Sequence, residues 1–353
     1  MYKSLLRPVF FLFNPETIHH WVMGILKIIG KIPGKRLALK WFFTVKDKRL
    51  EKELFGIRFP NPVGVAAGFD KNAEVFEELS ALGFGFVEIG TVTPKAQPGN
   101  PKPRLFRLSK DHALINRMGF NNNGLEQAVR QLKKRKSKMI IGGNIGKNTL
   151  TPNAIAYQDY EENFKGLFNY VDYFVVNVSC PNISDLKELQ DQDALMEILN
   201  KLQAINNSKP KRKPVLLKIS PDLNDKQLDE VIDIVRLTKI DGVVATNTSI
   251  KRNLPGYGSE VVAAIGNGGL SGSPVRDRST EVIRYLATKS NKAFPIIGVG
   301  GIFTASDALE KLDAGADLIQ VYTGFIYEGP FIAKNINQTI LNRMKSGSSL
   351  KQV

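Results

Sequence analysis

Eight short β-rich apolar runs, each followed by a polar or glycine-rich turn and then a helix-like stretch, constrain this chain more than any other feature. They are Pro62–Gly68, Phe86–Val92, Met139–Gly146, Tyr173–Ser179, Pro214–Ser220, Gly242–Thr248, Pro295–Gly301 and Leu318–Gly324. Segments such as Glu74–Leu82, Tyr157–Tyr170, Asp225–Thr238 and Ala305–Ala314 carry helical spacing between them. Strand alternating with helix implies parallel pairing, and eight units is the number that closes a barrel. The expected fold is therefore α/β, a (β/α)8 TIM barrel. An open doubly wound sheet is the alternative, disfavoured because no first-turn G-x-G-x-x-G with a later acid is present. Leu50–Pro60, ahead of the first strand, reads as a hairpin that closes the barrel's lower end.

Before the barrel lies a segment of different character. Asn14-Pro15-Glu16 is a helix start, and Ile18, Trp21, Val22, Ile25, Leu26 and Ile29 then recur on one helical face. Phe10–Phe13 precede that helix and Leu37, Leu39, Trp41, Phe42 and Phe43 follow it. Residues 1–52 hold eleven Lys/Arg against three acids, about half of the net charge of +15. Two readings follow: helices packed on the main domain, or a monotopic anchor with its apolar face in the acyl boundary and its cations at anionic headgroups. The Phe/Trp load leans toward the membrane. We expect a helical unit over residues 1–46 and a barrel over 47–353. No run reaches the length of a membrane span, and no signal-peptide cleavage site follows the short apolar run Val9–Phe13. The basic run Lys133–Lys138 reads as a solvated helix end. The single cysteine, Cys180, excludes an intramolecular disulfide and suits a reducing compartment.

The polar residues at strand ends sharpen the case. Lys71 follows strand 1, Thr91 ends strand 2, Asn144 lies in strand 3, Asn177 in strand 4 and Lys218 in strand 5, while Thr246 and Asn247 end strand 6. In a barrel these face one rim, where active sites of the fold lie. Any one of them is an ordinary polar strand end; six of eight strands converging makes a site. Strand 7 ends in Gly298-Val299-Gly300-Gly301 and strand 8 in Tyr322-Thr323-Gly324, with Gly268–Gly272 after strand 6. Glycines there let backbone N–H groups approach a phosphate, of FMN or of a sugar-phosphate alike. Lys218 suits the pyrimidine end of an isoalloxazine ring, or else a salt bridge to a barrel acid. Asn116–Asn123, Asn177–Asn182 and Asn247-Thr248 supply amides for a planar ring with alternating C=O and N–H edges, and Lys71 suits a carboxylate. A lone cysteine is ordinarily a small buried hydrophobe. Cys180 instead falls just past a strand end with Lys71 and Lys218 on the same rim, which suits a general base for a C–H beside a carbonyl.

Val65–Lys71, Ile89–Pro94, Asn116–Phe120, Asn144–Asn148, Asn177–Asn182, Gly269–Gly272 and Gly298–Ile302 together resemble dihydroorotate dehydrogenase, in order and over essentially the whole chain. The resemblance implies oxidation of (S)-dihydroorotate to orotate in pyrimidine synthesis, with one non-covalent FMN as hydride acceptor and no metal. It implies flavin contacts at Ala67, Gly68, Phe69, Asp70, Lys71, Thr91, Asn144, Asn177, Lys218, Thr246, Gly272, Gly301, Tyr322 and Thr323. Substrate contacts would be Lys71, Asn116, Arg117, Met118, Gly119, Phe120, Asn177, Asn182, Asn247 and Thr248, with Cys180 taking the C5 proton. The N-terminal helices resemble those of the class 2, quinone-reducing members, in which His19, Arg107 and Tyr322 would line a quinone tunnel. A peripheral membrane protein is implied, on the cytoplasmic face of the cell membrane if bacterial.

One feature departs from class 2. Its members usually carry serine as the base, whereas Asn-x-Ser-Cys-Pro-Asn is typical of the soluble class 1 enzymes that use fumarate or NAD. The helical N-terminus bears on the electron acceptor and the base only on the first half-reaction, so class 2 is expected. A tRNA dihydrouridine synthase also pairs an FMN barrel with a loop cysteine, but it requires an RNA-binding helical domain after strand 8. Here only Phe331–Ser346 and a short tail follow, and no nucleic-acid partner is expected.

Overall fold

The computed structural model describes residues 2–178, 192–252 and 254–346. Eight parallel strands close a barrel in chain order. They are β1 (Val63–Val65), β2 (Phe86–Val92), β3 (Ile140–Ile145), β4 (Tyr173–Asn177), β5 (Val215–Ile219), β6 (Gly242–Ala245), β7 (Ile296–Val299) and β8 (Leu318–Val321). Closure comes from β8 pairing with β1, Ile319 opposite Val63 and Val321 opposite Val65. Every barrel-strand residue is buried, which is why the strands read as continuous apolar runs rather than as alternation.

Side chains fill the barrel's lower end. Phe86, Ile140, Tyr173, Leu216, Val244, Ile297 and Leu318 form one cluster with Phe59 beneath them. Phe59 belongs to the expected hairpin, Lys52–Leu54 paired with Ile57–Phe59, and its ring meets Phe86 edge-on at 5.3 Å. Among the outer helices, Asp225–Thr238 runs over the span that its periodicity predicts. The Asn224 and Gln227 side chains cap its start reciprocally, satisfying two otherwise unpaired backbone donors.

Three antiparallel strands, Leu105–Leu108, Ala113–Asn116 and Gly269–Gly272, form a second sheet that supplies part of the wall above the barrel mouth. Local sequence reading takes the last of these for a glycine-rich turn. Leu270 pairs with Ile115 across a long separation, so no local periodicity reports the strand. The basic run after Leu132 also differs from a simple solvated end. Its Arg135 guanidinium bonds Asp172 at 3.0 Å, while the lysines around it are exposed.

At the N-terminus lie α1 (Arg7–Phe11), α2 (Pro15–Lys31) and α3 (Lys35–Phe43). The Asn14 side chain accepts from the N–H groups of Glu16 and Thr17, as a cap should. Charged pairs tie the unit to the barrel: Glu16 to Arg104 at 2.8 Å, Lys27 to Glu74 at 2.5 Å and Arg36 to Glu78 at 2.7 Å. Among the described residues, no helix is long and apolar enough to cross a membrane.

Candidate active site

The upper strand ends and the three-stranded sheet enclose a polar cavity. Ala67, Gly68 and Lys71 reach it from β1, Thr91 from β2, Asn177 from β4 and Lys218 from β5. Thr246, Asn247 and Thr248 enter after β6, Gly301 after β7, and Tyr322 and Thr323 after β8. Asn116, Met118, Gly119 and Phe120 form the wall with Gly272. These expected positions, scattered over more than two hundred residues, meet in one place because parallel strands of a barrel all end on the same side.

The glycines after β7 are required by the backbone. Gly301 has φ +69°, and a Cβ there would lie 2.5 Å from the Arg276 Cα. Beside it, the Ser271 and Thr323 hydroxyls are 2.8 Å apart. Ser271 is a cavity residue that sequence reading passed over.

Beneath the cavity floor the polar side chains are tied to one another. Glu88, fully buried in β2, accepts from Asn144 Nδ2 at 2.7 Å and Lys218 Nζ at 3.3 Å through Oε1, and from Gln320 Nε2 at 2.7 Å through Oε2. The Thr91 hydroxyl donates to Asn144 Oδ1 at 2.5 Å, Asn177 Nδ2 donates to Thr91 at 3.0 Å, and Asn247 Nδ2 donates to Asn177 Oδ1 at 3.2 Å. Both readings of Lys218 therefore hold together: it faces the cavity and pairs with a barrel acid. Glu88 and Gln320 were not singled out from the sequence, although a lone acid inside the apolar run Phe86–Val92 was the available signal.

Some expected contact residues stand off the cavity. Asn144 is fully buried one layer below the wall. Asp70 turns away to accept from the Glu74 and Val75 N–H groups, and burial pushes its carboxyl up to about 6. Arg117 donates to the carbonyls of Pro103 and Ile265, holding two loops together. Phe69 points toward α2, its ring 5.3 Å from that of His19. Cys180 and Asn182 lie outside the described residues.

A second cavity, of about 330 Å3 and almost wholly apolar, lies between the N-terminal helices and the barrel. Ile18, Val22, Leu26 and Ile29 of α2 form one wall, with Phe69, Leu105 and Phe325 opposite. His19, Arg107 and Tyr322 all line it, and Tyr322 also lines the polar cavity. Burial and the nearby Lys71 charge push the His19 imidazole down to about 3, so it is neutral. Burial pushes Tyr322 up to about 12, and burial also pushes Lys71 down to about 8. Arg107 lies 4.1 Å over the Phe11 ring and donates to the Phe11 carbonyl, while its Nε is buried without a partner.

The chain as a whole has close relatives among known proteins. The family model described as dihydroorotate dehydrogenase matches residues 49–344. A protein of Christiangramia forsetii named dihydroorotate dehydrogenase (quinone) is 60% identical over 343 residues, 97% of this chain and 99% of that one. One of the same name from Thermosynechococcus vestitus is 45% identical and covers 96% of each chain. The crystal structure of Eimeria tenella DHODH in complex with ferulenol superposes with a TM-score of 0.83 at 36% identity, over 95% of this chain and 93% of that one. A barrel of eight closed strands, a populated rim and whole-length similarity converge on one conclusion: the chain belongs to the dihydroorotate dehydrogenase family, in its quinone-type class.

Proposed function

We propose that this protein oxidises (S)-dihydroorotate to orotate in the polar cavity, holding FMN there, and delivers the electrons to a membrane quinone in the apolar one. The observation that carries this reading is the shared wall. Tyr322 lines both cavities, so a redox group in the first is one side chain from a hydrophobic acceptor in the second.

The residues present fit FMN. Gly272, Gly300 and Gly301, all at positive φ, form a backbone cradle suited to a phosphate, together with Thr323. Lys218 supplies a charged donor for the polar edge of a flavin ring, Thr91, Asn177 and Thr246 line the cavity beside it, and Asn144 supports Thr91 and Asn177 from below. When bound, FMN supplies a two-electron acceptor for the hydride leaving C6.

The chain's own residues supply the rest. Lys71 holds the substrate carboxylate by charge, and Asn116, Asn177 and Asn247 match the ring's C=O and N–H edges. Met118, Gly119 and Phe120 cover the site and exclude water. Cys180 takes the C5 proton on Sγ, and Asn182 is a further substrate contact in this reading. In the apolar cavity the unpartnered Arg107 Nε is a donor for a quinone carbonyl oxygen, and neutral His19 fits the apolar wall.

The helical unit, residues 1–46, is the membrane-associating part of this reading and residues 47–353 the flavin-binding barrel. Leu12, Trp41 and Leu37 are 82%, 79% and 74% exposed, beside lysines and arginines that suit anionic headgroups. Peripheral association on the cytoplasmic face of the cell membrane follows if the source is bacterial.

An anaerobic absorbance experiment tests the whole reading. Dihydroorotate should bleach a yellow chromophore in the purified protein, and a quinone should restore it. A colourless protein, or one reoxidised by fumarate or NAD and hardly by quinones, would overturn it.

A further inference from the structure

Glu88 takes no part in the chemistry just described, yet it accepts from three side chains beneath the polar cavity. A buried carboxylate persists only where its neighbours satisfy it. Here Asn144 comes from β3, Lys218 from β5 and Gln320 from β8, so one side chain on β2 links four strands of the barrel. Lys218 and Gln320 line the cavity directly.

The Asn144 contact has a directional consequence. With Nδ2 given to Glu88, Asn144 must present Oδ1 upward, where it accepts from the Thr91 hydroxyl at 2.5 Å and from Asn177 Nδ2 at 3.4 Å. Both of those residues line the cavity. The directions of the Thr91 and Asn177 donors are thus set from below by an acceptor-only group. The salt bridge at 3.3 Å also places a negative charge behind the Lys218 ammonium. Tyr173 lies in the same interior, its hydroxyl pushed well above the usual range by burial and then by the Glu88 charge.

We propose that Glu88 is a positioning residue for the flavin-facing layer: it orients Asn144, holds Lys218, and offsets the positive charge presented to the ring. The proposal rests on the FMN reading above. A cation near the ring stabilises negative charge on its reduced form, and a carboxylate behind that cation weakens the effect. Glu88 therefore keeps the bound flavin a weaker oxidant than Lys218 alone would make it.

The test uses the FMN-loaded full-length protein, titrated with dithionite against a reference dye, so that neither substrate nor quinone enters. Glu88→Gln keeps size and removes charge, and the Gln320 amide can turn its oxygen toward the new NH2. It should shift the equilibrium toward reduced flavin at least tenfold, about 30 mV for a two-electron couple. Glu88→Asp keeps the charge and shortens the reach. It should stay within threefold of the parent in potential while binding FMN at least fivefold more weakly. Equal potentials in parent and Glu88→Gln, or equal shifts in both variants, would overturn the proposal. Recovery of both variants only as unfolded or flavin-free protein would make Glu88 a packing residue and overturn it too. If the parent protein itself takes up no flavin, the FMN reading has failed first, which a spectrum shows before any titration.

Discussion

The two cavities sit side by side and are built in opposite ways. The polar one is walled by strand ends and loops whose side chains bond one another, from Glu88 up to Asn247. The apolar one lies between the N-terminal helices and apolar side chains of the barrel and second sheet, and charged pairs at the helix edges hold the helices in place. The same contrast continues outside. Twelve of the seventeen large hydrophobic residues exposed among the described residues lie within the first 42, whereas the barrel hides nearly all of its own. A barrel closes its core on itself, but three short helices cannot, and they leave apolar side chains exposed. The division of labour proposed above follows that difference.

Removing the proposed base should separate the two cavities most sharply. Cys180→Ala should slow flavin reduction by dihydroorotate about 10²–10⁴-fold while leaving quinone reoxidation of chemically reduced protein unchanged. Stopped-flow traces of the two half-reactions check this, and full turnover in Cys180→Ala would rule out the assignment. Cys180→Ser should move the acidic limb of the pH–rate profile upward, because a hydroxyl is a weaker acid than a thiol.

Next in size is the attachment of the helices. Glu16→Gln leaves the Arg104 guanidinium buried without its carboxylate and should destabilise the helical unit by about 3 kcal/mol. Hydrogen exchange should quicken in α2 and not in the barrel strands. Burial raises the Glu16 pKa, but Arg104 with Lys102 and His20 outweighs it and the net shift is downward. The stabilisation is therefore present above the ordinary carboxylate value and fades as pH falls below it, so α2 should loosen first in acid.

Filling the apolar cavity should act in the reverse sense to Cys180→Ala. Val22→Trp, on the lining face of α2, should cut quinone reduction on the order of tenfold and leave dihydroorotate reduction of the flavin intact. Equal losses in both half-reactions would mean that the cavities are not functionally separate. For Lys71, at about 8, the charged form proposed above to hold a carboxylate is lost as pH rises. The value of kcat/KM for dihydroorotate should then fall about tenfold per pH unit above that point, and Lys71→Arg should remove the limb. The smallest effect belongs to the outer face: Trp41→Ser should weaken binding to anionic vesicles about fivefold, about 1 kcal/mol, without changing soluble dihydroorotate chemistry.

Much of this was legible beforehand. Each barrel strand lies inside its expected run, and the rim residues from Lys71 to Thr323 share one cavity, Asn144 excepted. What escaped shares a cause. Glu88 escaped because its partners are 56, 130 and 232 residues away. The Gly269–Gly272 strand escaped because its pairing is with Ala113–Asn116. Phe69, Asp70 and Arg117 belong to motifs that reach the site, but a motif identifies a segment and not the direction in which each side chain points.

Periodicity and strand-end chemistry, which are local properties of the chain, determined that eight parallel units would close and that a polar rim would crown them. The parallel arrangement then requires all C-terminal ends to meet, so the segments that come together at the site follow from order alone. Only the folded molecule decided which side chains face the polar cavity and which the apolar one, that Tyr322 belongs to both, and that a buried acid sets the donors above it. Those outcomes depend on packing between residues far apart in the chain, where no spacing along the sequence carries the information.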